Sequence, residues 1–458
     1  MEQKNINKRL LKVSLITMIT AVAFENLAAT ADLGAIGVHF HTTKSLALIL
    51  SFFLVAEIVG VVALSELSKV RGPKLAVLVG STLFQVGIVL VSLSPNITFL
   101  ILMRGIQGLG GGAFGSVGYV IINDYFDTTE RPKIFFAFSL AWVVPSLISP
   151  GISGYLAQNF GWQFPFLVVL PISLIATLVL ALALPKRSKI KPRVLESNPL
   201  LRIVYATIFA ASILAILLAL DSIPRITPLL IIIPGIVFAG IAGKRLLPKV
   251  AFSQFPALRR IILLRVLTNF AFFGIDGFLP LALFRDRGYS LALAGSTLTL
   301  ASLSWSAGSY LHSRFTKPNH RGTLFRRGIA IALIGVAMTG ISLYFQGIGS
   351  WFILAGWTIA GLGMGISYVS LSVALLDVAP RDHLDESSSA LALADTTGVS
   401  VGTGVAGGLI ATALAIHGSR SISHGLAFDA IACLLILVIS LSIGKSIDHS
   451  ASQPTSLA

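Results

Sequence analysis

Fourteen apolar stretches recur along this chain of 458 residues, at 13–33, 46–66, 75–94, 97–122, 133–157, 164–184, 201–220, 226–243, 259–284, 290–312, 326–345, 351–376, 387–415 and 424–445. At about 20 residues per bilayer-spanning helix they take up roughly 280 residues. A helix is the one open structure that satisfies all its backbone polar groups within hydrocarbon. The expected fold class is therefore an all-α polytopic membrane protein with 14 transmembrane helices. Composition agrees: 12% of residues are charged, against about 25% in a soluble domain, too few to coat a water-facing surface. This excludes a soluble enzyme, a secreted disulfide scaffold and a nucleic-acid-binding domain. Cys433, the one cysteine, forms no intramolecular disulfide. The basic start before residues 13–33 imitates a signal peptide. The run contains Glu25 and no clear small-residue cleavage site, so it reads as a retained first span.

The net charge of +15 follows topology. With the N-terminus in the cytoplasm, alternate loops fall inside and hold 27 of the 34 Lys and Arg, whereas the outer loops hold five: Lys44, Arg225, Arg285, Arg287 and Arg420. Such a bias in short loops is the positive-inside signature. Both termini are expected in the cytoplasm, and the bilayer rather than nucleic acid is the partner implied.

An internal repeat orders the spans. An offset of 253 places Gly108-Leu109-Gly110-Gly111-Gly112 on Gly361-Leu362-Gly363-Met364-Gly365, and Asp124 on Asp377. The same offset places Ala141, Gly151 and Gly154 on Ala394, Gly404 and Gly407. An offset of 251 places Glu25 on Asp276. Both copies enter the membrane from the same side, as parallel repeats do. The expected organisation is an N-terminal six-helix bundle (1–184), a basic cytoplasmic linker (185–200), a two-helix insert (201–243), a C-terminal six-helix bundle (244–445) and a cytoplasmic tail (446–458). Pro224, Pro228 and Pro234 interrupt the second insert helix.

Ionisable groups in hydrocarbon are costly and mark function. Glu25, Glu57, Arg104, Asp276 and Asp395 fall within spans and are the candidates for proton coupling. Burial favours the neutral form of a carboxylate and a neighbouring guanidinium favours the charged form. A carboxylate poised between the two influences can exchange protons. The alternative for Arg104 is a structural partner of a carboxylate or a backbone carbonyl. Asp32, Glu66 and Asp429 lie near helix ends and read as solvated, and Arg265, near a cytoplasmic end, as snorkelling. Parallel repeats place a substrate site near the midplane between the halves. Asn26, Gln107, Trp142, Asn269, Trp305 and Tyr368 are the candidate substrate-binding residues beside the charged set. Aromatic faces suit cationic compounds, and lipid-facing or packing roles are the alternative. Gly72, Gly108 and Gly110, with Pro145, Pro150 and Gly154 of the fifth span, are candidates for gating or close packing.

These residues carry a resemblance. Arg104-Gly105-Ile106-Gln107-Gly108-Leu109-Gly110 matches the Arg-x-x-Gln-Gly-x-Gly motif of drug:proton antiporters of the major facilitator superfamily. The run from Pro145 to Gly154 is similar to their antiporter motif, with Pro145 and Ser149 in place of glycines. Gly161-Trp162-Gln163-Phe164 resembles the entry to the sixth span in the fourteen-span branch. Phe24-Glu25 with Leu27-Ala28 resembles the first span of actinobacterial multidrug efflux transporters. The resemblance implies that Arg104 assists proton transfer and that the fifth-span motif favours exchange over leak. The loop after the second span departs from the family pattern. Ser65-Glu66-Leu67-Ser68-Lys69-Val70-Arg71 leads into Gly72-Pro73-Lys74, and Lys69 stands at the usual Asp position.

The expected activity is thus proton-coupled export of amphiphilic or cationic small molecules. It needs no cofactor beyond the proton gradient, no metal and no second subunit, and is placed in the cell membrane. A symporter or facilitator for a nutrient or metabolite, or an exporter of an endogenous lipid, is the alternative within transport. A membrane enzyme finds no support: no His-Glu-x-x-His occurs, and the outer pair His39 and His41 reads as a solvated loop. Gly444-Lys445-Ser446 fails as a phosphate loop because Ile439 stands where its first glycine must be.

Overall fold

The computed structural model describes residues 7–42, 45–127, 130–184, 198–221, 229–246, 256–315, 321–345, 347–379, 384–417 and 421–450. Among them the regular elements are all α-helices. The first half contains α1 (Lys8–His39), α2 (Leu46–Arg71), α3 (Pro73–Ser92), α4 (Ile97–Tyr125), α5 (Arg131–Asn159), α6 (Phe164–Leu167) and α7 (Val169–Ala183). Two helices follow, α8 (Pro199–Asp221) and α9 (Leu229–Leu246). The second half contains α10 (Pro256–Asp276), α11 (Leu279–Arg287), α12 (Leu291–Phe315), α13 (Arg321–Tyr344), α14 (Ser350–Val378), α15 (Leu384–His417) and α16 (Ser421–Ser450). The proposed linker, apart from its last residues, and the end of the proposed tail lie outside the described residues.

Eleven helical segments among the described residues are long and apolar enough to cross a bilayer. The expected spans at α5, α9 and α12 are helical but stand outside that set. In α12 the run is diluted by Ser296, Thr297, Thr299, Ser302, Ser304, Ser306 and Ser309, and in α5 by two prolines and several serines.

Local chemistry sets the helix ends. Asn7 and Asn96 cap α1 and α4, their side chains accepting from the backbone N–H of Leu10 at 3.1 Å and Phe99 at 2.9 Å. α2 and α3 meet at a single residue, Gly72, with φ of +90° and ψ of 159°, a conformation reserved for glycine. Two expected spans are broken. The sixth divides at Val168 into α6 and α7, and the ninth divides after Asp276 into α10 and α11. Pro280 supplies the physical reason for the second break: it has no N–H to return to the carbonyl of Asp276.

Contacts group residues 1–214 with 234–246, and 215–233 with 247–458. The same packing pattern is built twice. In the first unit α4 packs on α2 and α3, and α1 packs on α5 and α7. In the second α14 packs on α12 and α13, and α10 packs on α15 and α16. Glycines make the approach of α4 close. A Cβ on Gly108 would meet the carbonyl of Phe53, one on Gly112 the backbone of Val61, and one on Gly110 the backbone of Phe84 and Gly80. Their counterparts Gly361, Gly363 and Gly365 face the backbone of Ala301, Ala332 and Trp305.

Candidate functional site

Each unit buries a charged centre on its first helix. In the first unit Arg104 of α4 is 1% exposed and Glu25 of α1 is fully buried. The guanidinium donates from Nη1 to Glu25 and, at 2.6 Å, to Gln107 Oε1, one turn along the same helix. Its Nε donates to the carbonyl of Ile49 in α2 at 3.2 Å. The guanidinium carbon also lies 4.4 Å from the centre of the Phe53 ring. The glycine contacts that press α4 against α2 therefore carry Arg104 into reach of both Ile49 and Phe53. Glu57 of α2 lies within electrostatic reach of Glu25 and Arg104. Asn26 points elsewhere, donating to Val22 of its own helix at 3.1 Å. Ser149 of α5, between Pro145 and Pro150 of the motif, donates to the carbonyl of Phe24 at 2.8 Å and ties α5 to α1 beside Glu25.

The second unit contains a larger set. Arg265 of α10 pairs with Asp395 of α15. It donates to the carbonyl of Tyr368 at 2.8 Å, and its guanidinium carbon lies 3.0 Å from the centre of the Tyr368 ring. Asp395 also accepts from the Asn269 amide at 2.7 Å and from the Tyr368 hydroxyl at 3.1 Å. Rings lead on from there: Tyr368 to Trp305 at 5.1 Å, Trp305 to Phe272 at 5.3 Å, and Phe272 stacked on Trp357 at 4.7 Å. The Trp357 indole N–H donates to Asp276 at 2.8 Å. Asp395 and Asp276 are thus the ends of one side-chain chain.

Four expectations are corrected. Arg265 does not snorkel but is 2% exposed, because α10 begins at Pro256 and so places it about 14 Å inside the helix. Asp32 and Asp429 are fully buried rather than solvated. α1 runs on to His39 and α16 starts at Ser421, which carries both residues inside. Among the described residues neither oxygen of Asp32 has a hydrogen-bond partner, and Asp429 takes only the Cys433 thiol, at 3.5 Å. A Cβ on Gly274 would meet the Asp429 carboxylate at 2.9 Å. Glu66 is also buried, between Lys69 at 2.8 Å and Arg202 of α8 at 3.0 Å. The apolar run 33–38 beyond the first hydropathy core is the signal by which Asp32 was discoverable.

Other candidates stand apart. Trp142 is 48% exposed on α5 and belongs to neither charged set. His39 packs against Trp162, ring centres 5.7 Å apart. At one end of the second unit Asp377 of α14 pairs with Arg321 of α13.

The chain is similar to a broad set of transport proteins. It is 25% identical over 400 residues to the MFS-type transporter ppz2 of Metarhizium majus, covering 81% of this chain and 66% of that one. It is 21% identical over 410 residues to the multidrug efflux pump SdrM of Staphylococcus aureus, covering 89% and 90%. The chain spans about two thirds of ppz2 and 28% of the multidrug transporter MdtP of Bacillus subtilis. In fold it is similar to a POT family transporter solved in complex with 5-aminolevulinic acid, with a TM-score of 0.68, 15% identity and coverage of 94% and 96%. The family model of the Major Facilitator Superfamily matches residues 13–403. These helices, packed in the same pattern in both halves, form a membrane transport protein rather than an enzyme, and the chain belongs to the Major Facilitator Superfamily.

Proposed function

We propose that the chain is a proton-coupled antiporter. It exports amphiphilic or cationic small molecules across the cell membrane by alternating access, with both termini in the cytoplasm. The observation that carries this reading is the fully buried Glu25–Arg104 pair with Glu57 in reach of both. In a low-dielectric interior a proton arriving at Glu25 cancels the charge that holds Arg104. Glu57 is the remaining anion nearby, so protonation moves the guanidinium between partners, a local event able to drive a conformational step. Gln107 and the Ile49 carbonyl keep Arg104 hydrogen-bonded through the exchange. In the second unit Asp276 and Asp395 are the carboxylates that share the coupling work. Asn269, Trp305 and Tyr368 of the second unit contribute contacts to cargo. Gly72, Gly108, Gly110, Pro145, Pro150 and Gly154 set the rigid and yielding points of the moving helices. The similarity to SdrM, a multidrug efflux pump by name, supports export. The proton gradient supplies the energy, small molecule and protons are the partners besides lipid, and a monomer suffices.

The test is transport in proteoliposomes under an imposed pH gradient, with a panel of dyes and drugs. Movement of substrate against its own gradient as protons flow the other way is the expected result. Movement of substrate and protons in one direction is symport and overturns the reading.

A further inference from the structure

The turn between α2 and α3 carries Lys69 where an Asp is usual, and Lys69 finds its anion three residues back. Its ammonium donates to Glu66 Oε1 at 2.8 Å, and Nη1 of Arg202 in α8 lies 3.0 Å from the same oxygen. Glu66 is buried, whereas Lys69 is 25% and Arg202 31% exposed. One buried carboxylate thus gathers two cations that reach it from the surface. On the other side of Gly72, Lys74 of α3 donates at 2.8 Å to the carbonyl of Leu184, the residue that ends α7. The turn therefore grips the chain at Leu184 and again at Arg202, the end of the first six-helix bundle and the start of the insert.

Arg202 does not serve its own helix. It stands in the first turn of α8, where Pro199 opens the helix and Asn198 accepts from the backbone N–H of Leu200 at 3.0 Å. A positive charge at a helix start opposes the dipole, so Arg202 gains from its partner and not from its position. Along α2, Glu57 and Glu66 are separated by about two and a half turns and ~14 Å, which puts them on opposite faces. α2 is thus held on one face by Arg104 of α4, through Ile49 and Phe53, and on the other by Arg202 of α8. α9 closes on the same end of α8. The guanidinium carbon of Arg245 lies 6.0 Å from the centre of the Tyr205 ring, and a Cβ on Gly243 would come within 3.2 Å of the Phe209 ring.

We infer that Arg202 fastens the two-helix insert to the first unit, with Glu66 as its buried anchor, so that the start of α8 moves with α2 as one body and holds the α2–α3 turn in place. The insert is then a working part of the transporter rather than a spacer, and Arg202 and Glu66 are positioning residues for the helix that seats Arg104. Loss of Arg202 leaves Glu66 with Lys69 of its own helix. The carboxylate stays neutralised and the first unit stays folded, but the tie to α8 is gone. The inference needs only that the chain transports, whichever way the protons run.

Spin labels on Val70→Cys in α2 and Leu200→Cys in α8, both exposed positions, test this in the full-length protein carrying Cys433→Ala. One narrow distance distribution is expected with Arg202 in place. Arg202→Ala should broaden it at least twofold with little change in melting temperature, and Arg202→Lys should stay near the original width. Exchanging the charges, Glu66→Arg with Arg202→Glu, again gathers the cations around one carboxylate, now on α8. The exchanged pair should restore the narrow distribution that either reversal alone destroys. In proteoliposomes, turnover of the dye panel should fall at least fivefold in Arg202→Ala at an unchanged half-saturating concentration, and return in the exchanged pair. A narrow distribution in Arg202→Ala, a broad one with Arg202 in place, or an exchanged pair no better than the single reversals overturns the inference. Undiminished turnover beside a broadened distribution overturns the working role given to the insert. Symport by the wild-type protein overturns the antiport reading alone and leaves the distance measurement to decide this one.

Discussion

Trp357 donates its indole N–H to Asp276 at 2.8 Å at the place where, one repeat earlier, Arg104 binds Glu25. One backbone arrangement thus supports an ion pair in one unit and a neutral donor on a carboxylate in the other. The energetic consequences differ. Removing one member of a buried ion pair strands a charge, whereas removing a carboxylate held by an indole leaves only an unpaired N–H.

Glu25→Gln is expected to insert and fold but to lose proton-driven export by at least tenfold, measured as pH-gradient-driven dye movement in vesicles. The amide occupies the same space and keeps a hydrogen bond to Arg104 while removing the site of protonation. Uphill export at the wild-type rate would remove Glu25 from the coupling step.

Arg104→Ala should abolish transport and destabilise the first unit by about 3–5 kcal/mol, the usual cost of breaking a buried pair. Arg104→Lys should recover folding better than activity. A single ammonium cannot reproduce the planar set of bonds to Glu25, Gln107 and the Ile49 carbonyl. Comparison of melting temperature with transport rate for the two variants checks both statements, and full activity of the Lys variant refutes the second.

Asp395→Asn should lower the melting temperature more than Asp276→Asn does. Asp395 neutralises the buried Arg265 and also accepts from Asn269 and Tyr368, while Asp276 neutralises no cation among the described residues. Equal shifts, or the reverse order, would contradict the division drawn between the two carboxylates.

Gly72→Ala is expected to cost about 1–3 kcal/mol, since a φ of +90° with extended ψ is open to glycine alone. Gly108→Leu should be worse, because its Cβ already meets the Phe53 carbonyl and the larger side chain forces α4 away from α2. The Gly108 variant should therefore lose activity together with stability, read as transport and yield of folded protein, as Arg104 is withdrawn from Ile49.

Much of the site was legible in the chain. Glu25 and Arg104 announced themselves as charges in apolar runs, and the Gln107–Gly108–Gly110 spacing marked a close-packed face. The alignment of Glu25 with Asp276 was visible from one offset. Arg265, Asp32, Glu66 and Asp429 read as near-surface residues because hydropathy marks the apolar core of a helix and not where the helix ends. Gln107, a candidate for the substrate, accepts from Arg104 at 2.6 Å, a bond its place in the sequence does not announce. Pairing across seventy-nine or a hundred and thirty residues, as in Glu25–Arg104 and Arg265–Asp395, has no local signature.

The order of residues alone determined a helical membrane protein and its twofold internal repetition, because transfer of backbone and charge into hydrocarbon is so costly that composition and periodicity suffice. Only tertiary packing decided which charge meets which. Ion pairs form between helices brought into register by glycine contacts, and the choice of Arg104 in one repeat and Trp357 in the other acquires meaning only when each stands beside its carboxylate.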